Sequence, residues 1–249
     1  MAIEEIFDRV ADGYASFRPQ YPAALFDLVS SYCANRGLAW EVGCGSGQAT
    51  AELATRFDRV EASDPAPSAI AHAPSIPGVH FSVGRAESSS LADGQVDLVA
   101  SAQSAHWFDM PAFAEEARRV AAPKAIVALW TYNRPRIDPE VDSILDHLYF
   151  DLLKGCWDPR RAHVESMYAT LLFPFEEIEV SAPNITMEWT RDHLLGYLRT
   201  WSAVQTYVKR QGEDPVGCIE PDLAKAWSAP DQPRIVQCQV GLRLGRIRG

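Results

Sequence analysis

The fold is decided by one short stretch of the chain, Trp40-Glu41-Val42-Gly43-Cys44-Gly45-Ser46-Gly47-Gln48. Three alternating glycines stand between an apolar strand and a predicted helix, so the backbone can turn sharply and let a ligand lie directly against it. A phosphate-binding loop would need Lys and a hydroxyl residue where Gln48 and Ala49 stand. A dinucleotide fingerprint that starts at Gly43 would place its third small residue at Gln48, which weakens the nicotinamide alternative.

An acidic residue at the end of the second predicted strand supports a nucleotide-like cofactor. Asp64 follows Gly43 by 21 residues, the spacing at which nucleotide-binding βαβ units place a carboxylate that accepts the ribose hydroxyl protons. The alternative is that Asp64 is a turn residue before Pro65. The spacing therefore favours a ribose-bearing cofactor without naming it.

Composition and charge limit the classes of function. The chain has 249 residues and a formal net charge of −10, which gives no general attraction for nucleic-acid phosphates and favours a small-molecule substrate. Its five cysteines are scattered without C-x-x-C spacing, which argues against a disulfide framework and a zinc site. The first residues are acidic with no apolar signal segment, and no run approaches the ~20 apolar residues of a membrane span. We therefore expect a cytoplasmic enzyme with no nucleic-acid or membrane partner.

Short apolar strands alternate with helical patterns along the middle of the chain. We predict seven strands, at residues 38–42, 59–63, 79–83, 96–100, 125–130, 175–180 and 235–244. Alternation of this kind predicts an α/β, Rossmann-like, doubly wound and mostly parallel sheet. In such sheets the ligand crevice lies at the carboxyl ends of the strands.

The domain organisation follows from the same alternation. We predict a single domain over residues 1–249, with an N-terminal helical cap at 1–37 and a cofactor-binding core at 38–133. The rhythm then changes, and we interpret 134–174 and 189–232 as helical insertions that cover the crevice and its substrate. The second insertion contains a helix that starts at Thr190, followed by a polar, proline-containing stretch.

The glycine-rich stretch has the pattern E-x-G-x-G-x-G and resembles the cofactor loop of class I S-adenosylmethionine-dependent methyltransferases. The resemblance implies a sheet whose last strand is antiparallel, S-adenosylmethionine as cofactor and S-adenosylhomocysteine as product. It implies cofactor contacts from the glycine loop, from Asp64 and from the segment that frames adenine; these residues are Glu41, Gly43, Gly45, Gly47, Asp64, Ala86 and Glu87. The alternatives are a solvated loop carboxylate for Glu87 and a helix or loop partner for Glu41.

Three further segments are similar to the trans-aconitate methyltransferase-like branch of that family. They are Ser101–Asp109, which contains A-Q-S-A-H-W-F-D, the Y-x-x-x-R-P-x-Y-P pattern at 14–22, and G-Y-L-x-T-W-S at 196–202. In this family the first segment flanks the transferred methyl group, which places Gln103 at the cofactor. The chain departs from the usual L-x-P-G-G turn, since Ala121-Ala122-Pro123-Lys124-Ala125 stands there.

The chemistry implied is methyl transfer to a small molecule, with a carboxylate as the acceptor that the resemblance suggests. Transfer from an electrophilic sulfonium depends mainly on positioning and needs no metal. Candidate substrate-binding residues are Tyr14, Arg18, Trp107, Tyr197, Arg199 and Trp201. Each also has a structural alternative, a surface salt bridge for the arginines and core packing for the aromatic residues.

Three other functions remain open from the sequence. A hydroxyl, phenol or amine acceptor would need a general base, and His106 is the candidate for an O- or N-methyltransferase of a natural product. A packing role for His106 is the alternative. A nicotinamide-dependent oxidoreductase and a non-catalytic cofactor-binding protein are the remaining hypotheses.

Overall fold

The computed structural model describes residues 17–247. The start of the predicted helical cap, including Tyr14, lies outside the described residues. The strands are β1 (Leu38–Val42), β2 (Arg59–Asp64), β3 (Val79–Val83), β4 (Val96–Ala102), β5 (Ala121–Tyr132), β6 (Glu176–Ile178), β7 (Ile185–Trp189), β8 (Arg234–Cys238) and β9 (Val240–Arg246). The helices are α1 (Ala23–Ser31), α2 (Thr50–Ala54), α3 (Pro67–Ala71), α4 (Met110–Val120), α5 (Pro139–Asp146), α6 (Arg161–Glu165), α7 (Arg191–Arg199), α8 (Ser202–Gln211) and α9 (Pro215–Ala226). A 3₁₀ turn spans Ala105–Trp107 and a π-helical turn spans His147–Leu152.

Seven strands form one mixed sheet in the order β3-β2-β1-β4-β5-β9-β6. The first five are parallel, and β9 runs antiparallel to both β5 and β6. This confirms the predicted seven-stranded, Rossmann-like sheet with an antiparallel last strand. The strand order reverses between β1 and β4, which is where ligands bind in open α/β sheets.

Alternate residues of the parallel strands face opposite sides of the sheet, as strand geometry requires. Trp40 and Val99 pack with α4 on one face, whereas Ala39 and Leu98 pack with α1 and α2 on the other. Because both faces are covered, all five residues of β1 are buried. This double burial holds the carboxyl ends of the strands in fixed positions.

The last predicted strand is divided in two in the structure. A single strand at 235–244 was expected, but β8 and β9 are separated at Gln239 and have different partners. β5 ends at Tyr132, opposite Val240. Residues before Val240 therefore have no ladder partner on β5, and β8 pairs with β7 in a separate two-stranded ribbon.

The proline-containing stretch after α7 forms two helices. Gly212 ends α8 in the left-handed conformation, with φ of 75°, which glycine adopts at little cost. The Asp214 carboxylate then caps α9 by accepting from the Val216 amide, and Pro215 occupies the first turn, where a missing N–H does no harm. Proline therefore begins this helix rather than excluding it.

The two insertions pack against each other. Helices α5, α7, α8 and α9 share one hydrophobic cluster with β7 and β8, in which Leu145, Leu198 and Leu223 are fully buried. In the segment that departs from the family pattern, Lys124 has φ of 66°, a left-handed conformation that is uncommon for a residue with a side chain.

Candidate active site

A large cavity lies along the carboxyl ends of the parallel strands. It encloses about 1270 Å³, including the part that is open to solvent, and its lining runs from Ala86 after β3 to Tyr132 at the end of β5. Gly43, Gly45, Asp64 and the residues that follow β4 lie between these limits. The cavity therefore spans the five parallel strands and is centred on the switch point between β1 and β4.

Gly43 allows the ends of β1 and β4 to approach each other closely. Its φ is 68°, and a Cβ atom there would lie 2.5 Å from the Ser104 Cβ. The Ser104 hydroxyl donates to the Gly43 carbonyl at 2.7 Å, and the Gly43 amide donates to the Ser63 carbonyl at 2.8 Å. A side chain at this position would separate the two strand ends.

Gly45 and Gly47 have different surroundings, and each needs glycine for a different reason. Gly45 has φ of 56° and lines the cavity, and among residues 17–247 no atom beyond its two chain neighbours lies within 4 Å of the position where its Cβ would stand. Its missing side chain leaves the cavity open to a ligand. Gly47 has φ of 89° and faces the ring of Phe81, 2.9 Å from the position of a Cβ, so it makes room for packing beneath the loop.

Asp64 fixes the glycine loop and faces the cavity. Its Oδ2 accepts from the Gly45 amide and its Oδ1 from the Ala66 amide, both at 2.9 Å. Burial raises the pKa of this carboxyl, and the two backbone hydrogen bonds act in the opposite direction. Each carboxylate oxygen has a further lone pair, so Asp64 can also accept from the hydroxyl groups of a bound ribose.

Glu41 lies at the base of the cavity, buried at the end of β1. The Thr50 hydroxyl donates to its Oε2. Burial raises the pKa of Glu41 to about 8, opposed by the hydrogen bond from Thr50 and reinforced by the charge of Asp64. A carboxyl group with this pKa is mostly protonated at neutral pH.

Ala86 and Glu87 both line the cavity after β3. The Glu87 Oε1 accepts from the Asp109 amide at 3.0 Å, and its Oε2 lies 3.3 Å from the Arg85 Nε. Glu87 therefore joins the loop after β3 to the segment after β4, and it is more than a solvated loop carboxylate.

Gln103 also lines the cavity, in a conformation that is uncommon for a residue with a side chain. Its φ is 58°, a region that occurs preferentially at functional sites when it is occupied by a residue other than glycine. The Gln103 Nε2 donates to the Tyr132 carbonyl at 3.2 Å, and its Oε1 accepts from the Thr131 hydroxyl. Its side chain therefore ties β4 to β5, and its amide adds a hydrogen bond to the Trp130 carbonyl at 2.9 Å.

His106 lies behind the cavity lining rather than in it. Its Nδ1 is 3.2 Å from the hydroxyl of buried Tyr168. Desolvation, followed by the nearby charges of Arg161 and Arg160, lowers the pKa of His106 to about 3. The imidazole is therefore neutral at physiological pH.

Arg18 reaches the cavity through Tyr132. Its Nη1 donates to the Tyr132 hydroxyl and its Nη2 to the Thr200 carbonyl, both at 3.3 Å, and its Cζ lies 5.6 Å from the centroid of the Tyr197 ring. Tyr132 lines the cavity at the end of β5. The guanidinium thus connects the start of the described chain, the sheet and α7 beside the cavity.

The remaining substrate candidates are not brought together. Trp107 lines the cavity. Tyr197 and Trp201 are buried in the cluster of insertion helices, with ring centroids 5.8 Å apart. Arg199 is exposed and forms ion pairs with Asp214 at 2.9 Å and Glu220 at 3.4 Å. Of these four, the structure places only Trp107 at the cavity.

Tyr21 and Tyr132 also line the cavity, although neither is among the residues predicted from the sequence. Tyr21 belongs to the R-P-x-Y-P segment, so its signal was present. Tyr132 could have been found because it follows the most apolar predicted strand, at the edge where ligands bind.

Between residues 17 and 247 no group of three or more His, Cys, Asp or Glu side chains could hold a metal ion. Within the same residues no helix is both long and apolar enough to cross a membrane.

Comparisons with known proteins agree with this geometry. Residues 40–129 match the family model described as a methyltransferase domain. The chain is 46% identical to a protein from Anaeromyxobacter dehalogenans that is provisionally described as a type II methyltransferase. The match covers 93% of this chain and 98% of the other, with a TM-score of 0.87. A provisionally named methyltransferase of Dictyostelium discoideum is 29% identical, over 92% of this chain and 88% of its own length.

Proposed function

Because the chain belongs to the class I S-adenosylmethionine-dependent methyltransferases, we propose that it methylates a small-molecule acceptor that carries a carboxylate, as the trans-aconitate methyltransferase-like branch does. One observation carries this proposal. A single cavity joins the glycine loop and Asp64 on one side of the switch point to Gln103, Trp107 and Tyr132 on the other. A cofactor and an acceptor can therefore lie side by side across β1 and β4.

The residues of the first side suit the adenosyl half of the cofactor. Asp64 accepts from the ribose hydroxyls while the two backbone amides hold its carboxylate in place. Ala86 and Glu87 would flank the adenine. The open space at Gly45 would let the cofactor lie directly against the backbone of the glycine loop. When bound, S-adenosylmethionine supplies an electrophilic methyl group on a sulfonium.

The residues of the second side suit an anionic acceptor. A carboxylate is already ionised at neutral pH and can attack without a base, so the protein has to bind and align it. Arg18 provides a guanidinium next to the Tyr132 hydroxyl, and guanidinium groups bind carboxylates well. Arg199 is occupied by two carboxylates away from the cavity, which does not favour a role for it in substrate binding.

The alternatives are less favoured. A general base works best when its pKa lies near the working pH, whereas the pKa of His106 is lowered to about 3. The family membership does not favour a nicotinamide-dependent oxidoreductase. Methyl transfer to a carboxylate needs no metal and no nucleic-acid partner. None of the residues that line the cavity comes from 134–174 or 189–232, so the covering role predicted for these two insertions stays a prediction.

The acceptor is tested by transfer of a labelled methyl group from S-adenosylmethionine to a panel of small acids, phenols and amines, with trans-aconitate among the acids. We expect a methyl ester on one of the carboxylates. Exclusive labelling of phenols or amines would contradict the carboxylate assignment and leave the cofactor assignment in place.

The cofactor site is tested by Asp64→Ala, with Asp97→Ala as the matched control. Both aspartates are buried and each accepts two backbone N–H groups; those on Asp97 come from Gly37 and Leu38, at the opposite end of the sheet. Loss of charge-assisted hydrogen bonds predicts that Asp64→Ala weakens S-adenosylmethionine binding by more than about tenfold in calorimetry. Asp97→Ala should lower thermal stability and keep the affinity. Equal affinities in the two variants would remove Asp64 from the site.

A further inference from the structure

The insertion at 134–174 contacts the cavity wall through Arg160. Its Cζ lies 4.1 Å from the centroid of the Trp107 ring, within the range of a cation–π contact. Trp107 lines the cavity. Since the guanidinium covers one face of the indole, Trp107 meets the cavity with its other face or its edge.

Asp158 fixes the orientation of that guanidinium. The Arg160 Nε donates to Oδ1 and its Nη2 donates to Oδ2, both at 2.9 Å, and the Arg160 amide also donates to Oδ1 at 2.9 Å. A bidentate pair holds the guanidinium plane in one direction. The two side chains remain 42% and 28% exposed, so the pair contributes little to stability and mainly fixes geometry.

The same insertion also contacts His106, which precedes Trp107 in the chain and packs against its ring. The His106 ring centroid lies 4.9 Å from that of Trp107, and the His106 Nδ1 is 3.2 Å from the Tyr168 hydroxyl. Tyr168 is fully buried at the far end of the insertion. Trp107 thus contacts Arg160 directly and is linked to Tyr168 through His106, whereas no residue of 134–174 lines the cavity itself.

We propose that Asp158 and Arg160 are positioning residues that fix the indole of Trp107 in the cavity wall and so set the affinity for the acceptor. An indole without the stacked guanidinium can take other rotamers, which would narrow or open the acceptor end. The acceptor part rests on the proposed function, whereas the positioning of Trp107 does not.

The positioning is tested by ¹⁹F NMR of protein labelled with 5-fluorotryptophan. The chain has seven tryptophans, and Trp107→Phe identifies the resonance of Trp107. The test variant is Arg160→Lys, which keeps the charge and loses the planar fork. Asp158→Asn serves as an independent variant in case the first folds poorly. We expect the Trp107 resonance to shift or broaden in both, while the other six resonances keep their positions.

Arg234→Lys is the matched control. Arg234 stacks over Trp227 at 4.9 Å and pairs with Asp138 at 2.7 Å, and none of these three residues lines the cavity. This variant should move the Trp227 resonance and leave that of Trp107 in place. An unchanged Trp107 resonance in Arg160→Lys and Asp158→Asn would overturn the proposal.

The effect on the acceptor is measured with trans-aconitate as the probe. For Arg160→Lys we expect KM for trans-aconitate to rise about tenfold, the size of a partly buried cation–π contact, with kcat and S-adenosylhomocysteine affinity within twofold of the parent. A fall in kcat with unchanged KM would overturn the acceptor role. Absence of any transfer to trans-aconitate in the parent enzyme would count against the proposed acceptor, and the NMR result would still decide the positioning of Trp107.

Discussion

At the residue scale, burial moves two ionisable groups of the site toward their neutral forms. Glu41 has its pKa raised to about 8 and His106 has its pKa lowered to about 3. The sequence placed both residues at strand ends, because glycine spacing and strand periodicity are local signals. It could not indicate their protonation, since this depends on Thr50, Tyr168 and Arg161, which the fold brings together.

We predict that Glu41→Gln makes the stability of the protein less dependent on pH. The pKa of Glu41 rises from 4.5 to about 8 on folding, so folding takes up a proton between these values and the free energy of unfolding falls as pH rises. The contribution is fully present below pH 4.5 and is lost as pH passes through about 8. Urea unfolding of both proteins over this range measures the difference in slope. Identical pH dependence in parent and variant would contradict the raised pKa.

We predict that His106 takes no part in proton transfer. Since its pKa lies near 3, its protonation does not change between about pH 6 and 8, where an ordinary histidine titrates. The ratio of kcat for His106→Gln to kcat for the parent should therefore stay constant across that range, with S-adenosylmethionine as methyl donor and the best acceptor of the panel. A titration near pH 6.5 that is present in the parent and lost in the variant would restore His106 as a base.

At the scale of the elements, the cofactor loop and the core strands were predictable, and parts of the second half were not. Strand β1 and the glycine turn have complete local patterns within the ten residues 38–47. The division of the last strand at Gln239 follows from where β5 ends and from the presence of β7. Both depend on strands that lie far away in the sequence, so no pattern within residues 235–244 indicates the division.

We predict that two neighbouring glycines of the loop differ in their tolerance of alanine. Gly45→Ala should cost about 1–2 kcal/mol in the free energy of unfolding, because it places a side chain in a left-handed conformation with no atom of residues 17–247 beyond its two chain neighbours within 4 Å. Gly43→Ala adds a clash, since its Cβ would lie 2.5 Å from that of Ser104, and should cost more. Chemical denaturation compares the two, and equal losses would show that β1 and β4 can separate without cost.

At the scale of the whole molecule, most insertion helices share one hydrophobic cluster, whereas Val164, Tyr168 and Leu171 pack in the cluster of the sheet. Arginines add polar links between distant parts of the chain. Arg18 links β5 to the end of α7, and Arg234 links β8 to the start of α5. Arg243 on β9 donates to the carbonyls of Tyr168 and Leu171. These partners lie far apart in the sequence, so no local pattern marks Arg234 or Arg243, whereas Arg18 stands in the R-P-x-Y-P segment and was a candidate.

We predict that Arg243 is needed to hold the end of the first insertion against the sheet. Its Nη1 lies 2.9 Å from the Tyr168 carbonyl and 3.1 Å from that of Leu171, and its Nη2 lies 2.8 Å from the Glu177 Oε2. Lysine lacks the rigid planar fork that places one nitrogen against the two carbonyls and another against the carboxylate. Arg243→Lys should lower the free energy of unfolding by about 1–3 kcal/mol, because two carbonyls and a carboxylate lose a mostly buried donor.

The matched control for this prediction lies on the same strand. Arg246 pairs with Glu176 at 3.5 Å and is 49% exposed, against 17% for Arg243, so Arg246→Lys should change stability by less than about 0.5 kcal/mol. Hydrogen exchange locates the effect. In Arg243→Lys we expect faster exchange in residues 161–172 and unchanged exchange in β1 and β2, because the lost contacts end on the Tyr168 and Leu171 carbonyls. Uniformly faster exchange would mean that Arg243 stabilises the sheet itself, and residues 161–172 would then be held by the packing of Val164, Tyr168 and Leu171 in the hydrophobic cluster of the sheet.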